Sequence, residues 1–140
     1  MTHELPANTE DIPLELCWDL LSQQQVARLA VVHQGEPDIF PISYVVDHGG
    51  IVFRTGAGTK LAAARDHPVA LEVDGEDSAH GTHWSVVVKG RASHLEGVKA
   101  VLLEAFERLE PAQSGPKPWL IRIDPVSVTG RRLHGGTPTR

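Results

Sequence analysis

Residues 51–68 read IVFRTGAGTKLAAARDHP. Ile51, Val52 and Phe53 are strand formers running into Arg54 and Thr55. Gly56 and Gly58 straddle one alanine, and Thr59-Lys60 opens an alanine-rich, helix-like segment that Pro68 must end. Glycines let backbone N–H groups approach an anion closely, and a threonine at a helix N-cap leaves further N–H groups exposed to negative charge. Lys60 adds a mobile cation and Arg54 a planar fork of donors. Together these features point to a bound phosphate. Alone, the stretch also reads as a capped turn between a strand and a surface helix, with Lys60 solvated.

Two familiar phosphate loops are excluded. A Walker A loop needs lysine directly after the last glycine, and a dinucleotide fingerprint needs GxGxxG; here Gly56-Ala57-Gly58 is followed by Thr59-Lys60.

Upstream, HGG (48–50) turns the chain back from IFPISYVVD (39–47), so the two runs form a hairpin. Apolar residues of the first run fall on both phases, which predicts a strand buried on two sides. Pro41 removes a ladder donor and argues for an edge, a bulge or a barrel mouth. VARLAVV (26–32) is a further strand, with HQGEPD as turn chemistry. Before it, Asp11 is placed to cap a helix with Pro13 in its first turn and Leu14, Leu16, Cys17, Leu20 and Leu21 near helical spacing.

Downstream, VALEVDG (69–75) is a short strand. In WSVVVKGRASHL (84–95), Trp84, Val86, Val88 and Ala92 share one face and Ser85, Lys89 and Arg91 the other. GVKAVLLEAFERL (97–109) carries a helical stripe that includes Val98, Val101, Leu102, Ala105, Phe106 and Leu109. WLIRIDPVSVTGRRL (119–133) is a closing strand, broken or bulged at Asp124-Pro125. The strands come as hairpins rather than βαβ units, which predicts a mainly β chain: a small β-barrel with peripheral helices attached, of α+β type. Residues 1–10 read as a flexible arm, 11–133 as one domain and 134–140 as a frayed tail.

The 140 residues suit one domain, and the net charge of −5 with scattered basic residues argues against nucleic acid. Cys17 is the only cysteine, so no internal disulfide or cysteine-based zinc site forms, and its apolar helical face makes it an inert buried thiol. Apolar runs fall far short of the ~20 residues that cross a bilayer, and the N-terminus has no leader-like pattern. The chain reads as cytoplasmic, with no membrane partner.

Other chemistry-bearing residues have ordinary readings. Ser43 and Tyr44 suit either an edge strand or a surface offered to a flat heterocycle. Trp84 and Trp119 suit either core or a wall beside an aromatic ligand. His80 and His83, near Glu76 and Asp77, read as a solvated loop rather than a metal site. No GxSxG elbow is present.

Taken together, FRTxxGTK and WSVVVKGRA, in the order ARLAVVHQGEPDIFPISYVVDHGGIVFRTGAGTKLAAA, PVALEVDG, WSVVVKGRA and IRIDPVSVTGRRL, resemble the pyridoxamine 5′-phosphate oxidase-like family of FMN-binding split β-barrels. The resemblance is closest to its small actinobacterial-type flavoproteins of unassigned substrate, and it spans Leu14 to Leu133. It implies a homodimer with FMN at the interface. Pro41, Ile42, Ser43 and Tyr44 would run beside the flavin ring, and Arg54, Thr55, Thr59 and Lys60 would hold its phosphate. Trp84 and Ser85 would approach the ring from the facing subunit. The implied activity is an FMN-dependent oxidoreductase acting on a small-molecule substrate with an external electron donor. The alternative is a flavin, F420 or haem binder or sensor without turnover, with His48 or His83 as a candidate axial ligand to haem. Two features depart from the vitamin B6 oxidase: Thr59 is followed by Lys60-Leu61 rather than an Arg-Lys pair, and its C-terminal substrate-binding Arg and His lack clear equivalents, with Arg122, Arg131 and Arg132 available.

Overall fold

The computed structural model describes residues 9–56, 61, 64–95, 106 and 119–134. Among these lie eight strands and one helix: β1 (Thr9–Ile12), α1 (Leu14–Gln23), β2 (Val26–His33), β3 (Glu36–Ser43), β4 (Val45–Asp47), β5 (Gly50–Thr55), β6 (Pro68–Asp77), β7 (Thr82–His94) and β8 (Trp119–His134). The strands form one antiparallel sheet in the order β3-β2-β6-β7-β8-β5-β4, with β1 on β8. The sheet curls until β3 meets β5 across its open seam, a split β-barrel.

Alternation builds the core. Ala27, Leu29 and Val31 of β2, Val69, Leu71 and Val73 of β6, and Trp84, Val86, Val88 and Ala92 of β7 all turn inward and are buried. The expected facing of β7 is therefore the observed one. Cys17 and Leu21, one turn apart on α1, close this core; a Cβ at Gly130 would lie 2.6 Å from Cys17 Sγ, so only glycine lets helix and strand approach so closely.

The hairpins owe their register to their turns. His48 and Gly49, with φ of +48° and +73°, join Asp47 to Gly50 in a two-residue turn whose twist matches the strands. In β8 one residue is extra: Lys89 pairs with Ser127 but Gly90 with Pro125, so Val126 bulges outward at 85% exposure. The expected irregularity at Asp124-Pro125 is this bulge.

Four features differ from the sequence reading. Residues 39–47 are two strands, broken at Tyr44: its amide makes the last bond to the β2 side, to Gln25 O, and from Val45 on the chain pairs with β5 instead. Burial on two sides belongs to β5, whose Ile51, Val52 and Phe53 are all fully buried, with Val52 under Phe106 and Leu120. β3 is a sheet edge with Ile39 70% exposed, which is where Pro41 is tolerated. Asp11 pairs with Arg131 in the β1–β8 ladder, so it caps nothing; α1 begins after Pro13 with no side-chain cap. That ladder also takes Thr9 and Glu10 from the stretch read as an arm, and β8 runs on through His134. Of the helix expected over 97–109, only Phe106 lies within the described residues.

Candidate functional site

The seam where β3 meets β5 unites two segments far apart in sequence. Val45 pairs with Val52, so the residues just before β4, Ser43 among them, run alongside Arg54 and Thr55. Pro41 is exposed, Ser43 and Arg54 are half-buried, and Thr55 is buried. The Arg54 guanidinium lies 5.6 Å from the Phe106 ring centre, which fixes its stem. Thr55 pairs with Trp119 across β5 and β8, and Arg65 lies over that ring at 4.7 Å. The His94 ring centre lies 5.4 Å from that of Trp119, tilted by 40°. Thr59 and Lys60 lie outside the described residues.

Two side chains expected beside a ligand turn inward. The Tyr44 hydroxyl donates to Leu21 O, and burial pushes its pKa far above the usual phenol range. Only the main chain of Tyr44 is thus offered to the seam. Trp84 is 4% exposed and packs on Gly75, where a Cβ would come within 2.7 Å of the indole. Ile42 is also buried. Ser85, next to Trp84, faces outward between Asp74 and Arg131.

Ser85 is not part of the seam in its own chain. Three strand spacings, about 14 Å, separate β3 from β7 along the sheet. Between them the outer face carries charge. Arg28, paired with Pro41 on one side and Glu72 on the other, places Nη1 3.3 Å from Asp74 Oδ1 and 3.7 Å from Glu72 Oε1. His83 Nε2 stands 3.8 Å from Asp74 Oδ2. Burial, then a hydrogen bond and repulsion from Asp74, raise the Glu72 pKa. Sequence reasoning missed Arg28, Glu72 and Asp74. Their polar phase in VARLAVV and VALEVDG was visible, but not which strands would be neighbours.

Arg122 is fully engaged: it donates to Asp47 O and His48 O at 2.9 Å each and to Asp124 Oδ1 at 2.8 Å. It is a clamp on the β4–β5 turn rather than a ligand group. His48 is exposed in that turn beside Asp47. No group of three or more metal-binding side chains occurs among the described residues.

A match to the family model described as pyridoxamine 5′-phosphate oxidase runs from residue 13 to residue 132. The chain belongs to the pyridoxamine 5′-phosphate oxidase family. Within and around this family, the FAD-binding protein of Mycobacterium smegmatis is 33% identical, with a TM-score of 0.70 over 89% of this chain and 98% of that one. The FAD-binding protein of Mesorhizobium loti shares the fold, with a TM-score of 0.76 at 22% identity over 91% of this chain and 98% of that one. An uncharacterised protein of Mycobacterium tuberculosis is 36% identical over 87 residues, 61% of this chain and 77% of its own length. No helix among the described residues is long and apolar enough to cross a membrane.

Proposed function

We propose that this chain binds a flavin nucleotide in the seam between β3 and the end of β5, and that it does so as a homodimer. The observation that carries the reading is the meeting of residues 41–44 with Arg54 and Thr55, which puts an edge main chain beside a guanidinium. The residues fit the group. The edge of β3 has main-chain donors and acceptors not used by a second strand, and Arg54 brings a guanidinium beside Thr55, whose hydroxyl donates to Gly56 O; Thr59 and Lys60 would add donors to a phosphate. The FAD-binding M. smegmatis relative supports a flavin; FMN is the form the resemblance implies.

The dimer is part of the proposal: the resemblance brings Trp84 and Ser85 to a flavin, and the three strand spacings between β3 and β7 in one chain favour a flavin held by a second copy. A bound flavin supplies two-electron transfer, and the proposed activity is an oxidoreductase acting on a small molecule with an external donor.

The test is an absorbance spectrum of the freshly purified protein, followed by mass analysis of any released cofactor. A two-banded yellow spectrum with released FMN or FAD is expected. A colourless protein whose titration with both flavins leaves their fluorescence unquenched overturns the reading, and a Soret band replaces it with haem binding. Oxidation of NADPH or reduced F420 then separates an enzyme from a carrier.

A further inference from the structure

The register builds two cross-strand rows on the outer face of the sheet. Ile39, Ala30, Ala70 and Lys89 follow one another across β3, β2, β6 and β7, and Pro41, Arg28, Glu72 and Val87 form the next row. Directly paired residues of antiparallel strands project to the same side, so all of these share the face turned away from the core. Ala30, Val32, Pro37, Pro68, Ala70 and the bulged Val126 line an open cleft of about 460 Å³ on it, and Lys89 is its one charged wall among the described residues. Val26, Val32 and Ile39 stand exposed on the same face. A contiguous apolar surface of this kind marks an interaction site.

The face is self-complementary about one line. A two-fold axis along the strands, midway between β2 and β6, exchanges β2 with β6 and β3 with β7 and keeps each row opposite itself. Ala30 would then meet the partner's Ala70, small against small, which lets two sheets close to the ~10 Å of packed sheets. Arg28 would meet the partner's Glu72, with Asp74 beside it, so cation faces carboxylates and no like charges are opposed. The exposed Ile39 would meet the partner's Lys89 at the cleft. The following row runs from Ser43 and Val26 to Asp74 and Ser85, so Ser85 comes over the partner's Ser43 at the end of β3, where the flavin is proposed. An axis across the strands would lay β7 on β7 and leave Ser85 away from the seam.

We propose that a second copy covers this face about the axis along the strands, each Ile39 seated in the other chain's cleft beside Lys89. The choice of axis rests on the flavin-bridged dimer proposed above; the apolar cleft and the Arg28–Glu72 row do not.

The test is sedimentation velocity of the full chain over a concentration series, with yellow absorbance recorded alongside the mass. The wild type is expected to be a dimer. Ile39→Lys sets a lysine against the partner's Lys89 and is expected to weaken the dimer about a hundredfold or more, while Ile39→Glu, which sets a carboxylate there, costs at least about tenfold less. Ile39 is exposed, so both variants keep the fold, read as unchanged far-UV circular dichroism. A monomeric wild type, a dimer unmoved by Ile39→Lys, or equal loss with lysine and with glutamate overturns the proposal. The flavin reading fails separately: a colourless dimer that Ile39→Lys dissociates removes the flavin and keeps the face, and a yellow dimer that Ile39→Lys leaves intact does the reverse.

Discussion

The guanidinium of Arg122 lies over Gly50, where a Cβ would sit 2.6 Å from its Cζ. The missing side chain of Gly50 is what lets Arg122 reach the carbonyls of Asp47 and His48 and hold the β4–β5 turn. That turn orders the strand that ends at Arg54 and Thr55. Removing the fork leaves two carbonyls without their charged donor, so Arg122→Ala is expected to cost about 2–3 kcal/mol. Arg122→Lys recovers little of it, since one ammonium cannot span both carbonyls. Gly50→Ala forces the fork aside at about 1–3 kcal/mol. Urea unfolding measures all three, and an unaltered midpoint for Arg122→Ala would refute the clamp.

Tyr44→Phe deletes the buried bond to Leu21 O while keeping the ring in the core. A loss of about 1–2 kcal/mol is expected, with flavin affinity unchanged, because only the main chain of Tyr44 faces the seam. Affinity lost in step with stability would instead point to a contact made through the hydroxyl.

Lys60→Ala is expected to lower flavin affinity about ten- to a hundredfold, the worth of a charge-assisted hydrogen bond, and to leave the unfolding midpoint in place. Fluorescence titration is the readout. Equal affinity in the variant removes Lys60 from the phosphate cradle.

Glu72 sets a pH dependence. Its folded pKa lies above its unfolded value, so the folded state binds the proton more tightly, and stability falls as pH rises from the usual carboxylate range through the raised value. Glu72→Gln is therefore expected to stabilise the protein at neutral pH, with the advantage shrinking to nothing in acid. Arg28 keeps Asp74 as its partner in that variant. Melting curves from pH 4 to pH 8 test this, and a gain that grows in acid would reverse the assignment.

Cys17 is fully buried, and burial raises its pKa, which lowers its thiolate fraction. Native protein is expected to react with thiol reagents only as fast as it opens. Reaction within the dead time of mixing would show that α1 undocks from the sheet.

Local chemistry determined much of this protein in advance. The alternation in WSVVVKGRA sorted the inner and outer faces of β7, because side chains on a strand alternate whatever lies beside it. HGG announced its hairpin because only a few residues tolerate positive φ, and Pro41 announced an edge because it lacks a donor. The segments at 41–44 and 54–55, to which the flavin is proposed to bind, were legible as separate pieces. Their meeting was not. It depends on how far the sheet curls, which is a sum of twists over seven neighbouring strands rather than a property of any one of them. Tertiary packing alone decided that Tyr44 turns inward, since α1 supplies the Leu21 carbonyl. Strand order likewise gathered Arg28, Glu72 and Asp74 on one face, and set Ile39 and Lys89 in one row across it. Neither grouping is written in sequence spacing, because long-range register is set by the whole buried face at once.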